Sequence, residues 1–482
     1  LSIFFSNPYN NMVETIELVL TRPVHRIEPC AIEEWRRRIE GDESFRLLID
    51  PVWNIGLRPV LVDHHILNQS SEMHLFSHPL KPTMTAADQM WTGLCWAFAG
   101  LGGLRRQLAL RHSLPADFEL SQTHILFYDK LEKAHAFLTY VHETKALPPD
   151  DRTVHHLLKD PIPDGGSWES FEHLVRKYGI VPRNNMDASH SAGHTHYLQE
   201  ALRIMMLQTA DHIRNGTPEP LQTTMERVHR LLTICLGTPP VSFEWIRPEK
   251  GSDDDKGPGD NKGSDDDNPV AVRGVSTTPL ALLAEAKMDE DMVVVAHMPT
   301  KAANHRYVVA YYQTVLGCDL VPFVNVDEDA FHETIVNAVL HLSLPVWFAS
   351  EFDHDRLRNK GILHHELMHY ERVIGEAVVR NKASRCRSRA IEVNHAMLIT
   401  GCHVENGTVV RWQVENSHGS DSTKGYLSMS DRWLREHVFY VAVPRRALAS
   451  RIPPPERMPL VTVNPWDEFG IVARVGERSA RP

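Results

Sequence analysis

Cys95 stands in the stretch ADQMWTGLCWAFAG (87–100), between a glycine turn and an apolar run. Free cysteine is among the most buried residue types, so taken alone such a thiol reads as core packing. Two residues far downstream change that reading. EVNHAMLITG places His395 at the mouth of a strand-like run, and WQVENSHG places Asn416 at the end of the next run, 21 residues later. A nucleophilic cysteine needs a histidine to take and return its proton, a polar group to orient that histidine, and donors for the oxyanion. A β-hairpin brings residues 395 and 416 side by side on one edge. At the N-terminus of a helix, Cys95 meets a macrodipole that favours negative charge. Dipole and imidazolium together lower a thiol's pKa by several units, so a thiolate is expected at neutral pH. Gln89 lies six residues before Cys95, across the turn. Its amide and the Cys95 N–H then supply two oxyanion donors.

The elements that must hold these residues follow from periodicity. Ala97, Leu101, Leu104 and Leu108 fall at helical spacing after Cys95. Gly100, Gly102 and Gly103 each cost such a helix about 1 kcal/mol against alanine, so it is expected to be buried and closely packed. A second long helix is expected over 119–141 with Ser121 as its N-cap, and a third follows the Gly165-Gly166 pair within 163–179. Helical patterns also cover 31–48, interrupted at Gly41, and 196–236. From 291 the runs DMVVVAHM, YVVAYYQTVL, PVWFAS, AMLITGCHV, VVRWQVEN and FYVAVP are strand-like. Helices first and strands later predict an α+β protein with two lobes. Between them, residues 249–269 carry GSDDD twice; dense like charge keeps such a segment solvated, and it lacks the ligand spacing of an EF-hand.

The totals bound the function. The chain has 482 residues, 42% hydrophobic and 23% charged, with a formal charge of −11. That charge argues against nucleic acid as a partner; the short basic clusters Arg105-Arg106, Arg385 to Arg389 and Arg445-Arg446 read as solvated faces. Six scattered cysteines without a C-x-x-C indicate neither a zinc ribbon nor a disulfide framework, and point to a reducing compartment. No run suffices to span a membrane. The start at Leu1 suggests a trimmed or incomplete N-terminus, and its apolar run is too short for a secretory signal.

Q-x5-C-W-A-F, then N-H-A and E-N-S-x-G in that order, resemble the papain superfamily of cysteine peptidases. The 300 residues from Cys95 to His395 far exceed the roughly 130–150 of ordinary papains. The longer layout, including FELSQTHILFYDKLEKAHAFL, DGGSWESFEHLVRKYGIVP, GYLSMSDRWLREHVFYVAV and PWDEFGIVA, is similar to the bleomycin hydrolase family. The resemblance implies a papain-like two-lobed fold: a helical lobe, a β-barrel-like lobe, helical insertions and a C-terminal arm. On that pattern residues 1–80 are an N-terminal extension, 81–190 the helical lobe, 191–290 a hook-like insertion containing the disordered loop 249–269, 291–446 the β lobe and 447–482 the arm. It implies a cytoplasmic thiol aminopeptidase acting on small peptides, assembled as a homohexamer, with no cofactor and no metal. Carried over by position, Cys95 is the nucleophile, His395 the acid/base, Asn416 its orienter and Gln89 the oxyanion donor. Gly165 and Gly166 match the segment that pairs with substrate backbone, although the same pair serves as a plain helix-entry turn. In the family the arm lies in the cleft, where its terminal carboxylate receives the substrate's free amine.

Three positions depart from that pattern. Leu94 replaces the usual arginine before the cysteine. His418 replaces a tryptophan that lids the His–Asn bond, which is expected to admit water and weaken it. Nine residues, Arg474 to Pro482, follow Ala473, near which the family's arm ends; self-trimming is expected. One motif competes. His365-Glu366-x-x-His369 on a helix would present two histidines to zinc, with Glu366 as base, but Arg372 and Gly375 break the metzincin extension and the third ligand would be the distant Glu392. A zinc peptidase and a silent, ring-shaped scaffolding homologue are therefore the alternatives to the thiol enzyme.

Overall fold

Alternating strand residues face two different cores, and this explains the long apolar runs of the second half. In the computed structural model, the described residues are 27–69, 72–217, 219–248, 272–288, 290–378, 381–419 and 424–476; the acidic repeat and the last six residues lie outside them. The principal strands are β1 Met292–Ala296, β2 His305–Val309, β3 Phe323–Asn325, β4 Val346–Ser350, β5 His395–Glu405, β6 Thr408–Glu415, β7 Tyr426–Ser430, β8 Val438–Pro444 and β9 Leu460–Val463. Among the described residues they form most of a twelve-stranded sheet in the order β9-β2-β3-β1-β8-β4-β5-β6-β7, continued by the short strands Ile362–Leu363 and Arg356–Leu357. Val294, Ala296, Trp347, Ala349, Ala396 and Leu398 join one core, whereas Val293, Val295, Val346, Phe348, Met397 and Ile399 join the other. A sheet covered on both faces needs apolar residues at successive positions, not at every second one.

The first core is roofed by helices α1 Cys95–His112, α2 Gln122–Glu143, α3 Trp168–Tyr178, α4 His196–Arg214 and α5 Leu221–Leu236. Ser121 caps α2 by accepting the His124 N–H. The glycines of α1 permit the expected close packing: a Cβ on Gly100 would stand 2.6 Å from the Phe171 ring of α3. The second core is closed by Glu328–Val336 and by α6, Asp431–His437. Helices and a large mixed sheet together give the expected α+β class.

By internal contacts the chain forms two units: Leu1–Val62 with His369–Val378, and Asp63–Met368 with Val379–Pro482. In the small unit the 31–48 pattern becomes Pro29–Glu40 and Glu43–Ile55, broken where Gly41 caps the first helix. The larger unit holds every element of the sheet. Two local readings are corrected. YVVAYYQTVL supplies strand only to Val309, because Tyr311 turns the chain at φ 55°. Arg105 and Arg106 are not a solvated face: each is 3% exposed, and both bond Glu415, the last residue of β6. Arg106 also bonds Tyr426 Oη at 2.9 Å. These ion pairs tie α1, which begins at Cys95, to the strand that ends beside Asn416. Removing one side of a buried pair costs about 3–5 kcal/mol, since the other charge is left unmatched.

Candidate active site

Cys95 begins α1, whose preceding residue Leu94 accepts the first helical N–H groups, from Ala97 and Phe98. Leu94 is 1% exposed and belongs to the first core, so the position that carries arginine in the resembling family is here plain packing. The Cys95 side chain is 0% exposed. Its Sγ accepts the Ala396 N–H at 3.4 Å, which places the sulfur against the first peptide of β5. His395 pairs with Ser350 of β4 and its Nε2 lies 2.7 Å from Asn416 Oδ1, just past the end of β6. With Nε2 so engaged, Nδ1 is the ring nitrogen left for the thiol. Helix start, strand start and strand end therefore meet at one point. Among the described residues no hydrogen bond joins Sγ to the ring.

The Gln89 side chain bridges the other wall. Its Nε2 donates to Thr92 O at 2.6 Å, and its Oε1 accepts the Ser417 hydroxyl at 2.6 Å. Backbone bonds from Gln89 N–H to Ser417 O and from Gly419 N–H to Ala87 O lace the turn before Cys95 to the segment after Asn416. The turn is fixed from below by a buried charge network that sequence reasoning missed. Asp164 accepts Gly93 N–H at 3.3 Å, pairs with Lys130 at 2.7 Å and bonds Thr195. Lys133 pairs with Asp129 at 2.9 Å and donates to Pro163 O and Gly165 O at 2.8 Å each. Burial pulls the Lys133 ammonium down to about 8, against the pull of Asp129. The available signal was three charges, Asp129, Lys130 and Lys133, on an otherwise apolar face of α2.

Gly166 is occupied by the chain itself. Its N–H donates to Val475 O at 3.0 Å and its carbonyl accepts the Val475 N–H at 2.9 Å, a two-way antiparallel exchange. Ala473 O upstream accepts the hydroxyls of Tyr312 and Tyr440 at 2.8 and 3.1 Å. Gly476 follows with φ +98°, and a Cβ there would stand 3.3 Å from Cys95 Sγ. The arm thus runs over the sulfur rather than stopping short of it. Gly165 instead anchors the segment, through its bond from Lys133.

This cover corrects the expectation of a thiolate. Burial pushes the Cys95 thiol up to about 12, which outweighs its bonds from the Ala396, Trp96 and Cys95 N–H groups. The helix dipole is present, but a desolvated anion costs more than the dipole returns. Burial likewise drives His395 well below its ordinary range, and the neighbouring His418 and Arg356 add to that, against the bond from Asn416. With the arm docked, sulfur and ring are both neutral.

His418 does not open the site to water. The His395–Asn416 pair is 2% and 7% exposed; Phe352 packs at 4.6 Å on the His395 ring and His418 stacks at 4.8 Å, its Nδ1 lying 3.1 Å from Asn416 Nδ2. The expected loss of the lid is therefore not seen; His418 stacks on the ring and its Nδ1 accepts from the Asn416 amide.

The competing motif is not assembled. Residues 364–369 form no helix, and His369 Nδ1 lies 2.6 Å from Glu371. His365 and His369 do not share a helix face, so a zinc peptidase on that pair is overturned. All six cysteines are unpaired. Among the described residues no helix is long and apolar enough to cross a membrane.

Comparison with known proteins places these features. A family profile described as the Peptidase C1-like family matches residues 26–470. Aminopeptidase C of Listeria monocytogenes is 29% identical over 411 residues, 83% of this chain and 88% of that protein. "Cysteine proteinase 1, mitochondrial" of Saccharomyces cerevisiae is 28% identical across 98% of both chains, and bleomycin hydrolase of Mus musculus is 28% identical over 91% of this chain and 96% of its own. The crystal structure of PepW from Lactobacillus rhamnosis superposes with a TM-score of 0.82 at 26% identity, covering 92% of this chain and 99% of that one.

Proposed function

The chain belongs to the Peptidase C1-like family, and from that premise we propose that it is a cysteine-type aminopeptidase of the bleomycin-hydrolase kind. It removes N-terminal residues from small peptides and related amides. The supporting observation is that Cys95 Sγ lies against the peptide after His395, His395 is held by Asn416, and the arm that Gly166 holds passes beside the sulfur. Once the arm withdraws, water reaches the sulfur, the desolvation that keeps it neutral falls, and its proton passes to His395 Nδ1. The thiolate attacks the carbonyl of the first peptide bond. The oxyanion is held by the Cys95 N–H and the Gln89 amide, Asn416 keeps the ring in register, and His395 returns the proton to the leaving amine. Water then hydrolyses the thioester. Gly166, supported by Gly165, offers its backbone to the N-terminal end of the bound substrate once Val475 has left it.

Free-amine aminoacyl-coumarins are expected to be hydrolysed and their N-acetyl forms not, with a peptidyl epoxide stopping turnover. The same measurement separates this reading from that of a silent, ring-shaped scaffold, which the buried, neutral thiol favours: a scaffold hydrolyses neither substrate even after the arm is shortened. A homohexamer is proposed on the resemblance to the bleomycin hydrolase family, and a reducing, cytoplasmic setting on the six free thiols.

A further inference from the structure

We propose that Asp355, His365 and His437 form a binding site for a divalent transition metal, with zinc the ion it suits. One ligand atom from each lies within 4.8 Å of the other two. His437 is 2% exposed, and neither of its ring nitrogens makes a hydrogen bond; His365 Nδ1 is likewise buried and without one. An imidazole so enclosed ordinarily spends at least one nitrogen on a partner. His437 Nε2 faces Asp355 Oδ2 at 3.6 Å, close to the roughly 3.4 Å that separates two ligands around a tetrahedral zinc. Two imidazoles and one carboxylate are a zinc-type donor set, and the fourth position is left for water.

The surroundings match such a centre. Behind His437, Glu351 Oε2 stands 3.6 Å from Nδ1, the place of the outer carboxylate that orients a metal-bound histidine. Glu351 is itself held by Arg385 Nε at 2.9 Å and the Glu392 N–H at 3.0 Å. The three ligands come from different segments. Asp355 sits at φ 48°, a left-handed conformation aspartate tolerates, between β4 and Arg356–Leu357. His365 lies in the turn after Ile362–Leu363, and His437 ends α6 just before β8. An ion here clips the segment after β4 to α6, beside the Glu351–Glu392 contact that leads into His395. The first histidine of the H-E-x-x-H motif is thus used, but with partners the motif does not name. This site is structural and does not depend on the proposed peptidase activity.

Untagged full-length protein, stripped with a chelator and dialysed, is titrated with zinc chloride against a chromophoric competitor. One zinc per chain is expected. His365→Ala and the isosteric Asp355→Asn weaken binding at least about 100-fold, since even outer partners of metal ligands are worth 10–100-fold. His369→Ala leaves affinity unchanged, and zinc raises the melting temperature of the wild type but not of His365→Ala. Substoichiometric zinc, wild-type affinity in either ligand variant, or loss of binding in His369→Ala would overturn the site.

Discussion

Wild-type protein is expected to lack at least residues 477–482, while Cys95→Ala retains Pro482. The direction of the arm gives the reason. Val475 is held by its two-way backbone exchange with Gly166, so the next residue, Gly476, lies beside the sulfur in the place of an acyl group. As the neutral thiol attacks the Gly476–Glu477 bond its proton passes to His395 and on to the Glu477 amine, so that a thioester with Gly476 forms and the residues after Gly476 are released. Intact mass of the two proteins decides this; equal masses ending at Pro482 would refute it. The arm also restrains turnover. Its two hydrogen bonds to Gly166 are worth about 1 kcal/mol each, together roughly 30-fold in the population of open clefts. A chain ending at Ala473 is therefore expected to hydrolyse aminoacyl-coumarins about 30-fold faster than an unprocessed chain, read in the first minutes of a time course. Equal initial rates would mean that the arm does not occlude.

Cys95→Ala is expected to lower kcat/KM by roughly 10⁴- to 10⁶-fold, and His395→Ala by a similar factor, because nucleophile and base act as one unit. The double variant should be no worse than either single one. Asn416→Ala should cost less, since it orients the ring without touching the reacting atoms. Circular dichroism separates these losses from unfolding. A double variant with the product of the two single losses would show that sulfur and ring act independently, contrary to the mechanism.

The reach of the sequence differed with the distance over which each feature is decided. Cys95, His395, Asn416 and Gln89 carry chemistry that few other patterns need, so their order along the chain was informative: Sγ meets the Ala396 N–H, His395 meets Asn416, and Gln89 meets Ser417. Ser121 and Gly41 act within a turn of their neighbours and were equally legible. The protonation state of Cys95 was not: the dipole that favours a thiolate is local, whereas the burial that disfavours it is tertiary, with Gly476, 381 residues away, laid beside the sulfur. Arg105 and Arg106 were misread for the same reason, since Glu415 is what makes their burial tolerable. The H-E-x-x-H stretch has helical spacing, yet Ile362 and Leu363 pair with Ser428 and Met429 of β7, and that pairing sets the turn that follows.

Electrophile labelling of Cys95 bears most directly on its role as the nucleophile. The chain ending at Ala473 is treated near neutral pH with a peptidyl epoxide, digested and mapped, with Cys30, an exposed thiol, as the internal reference. Cys95 should be alkylated faster than Cys30, with loss of activity in proportion to label, and His395→Ala should slow that alkylation. Label on Cys30 alone, with Cys95 intact and turnover unaffected, would contradict it.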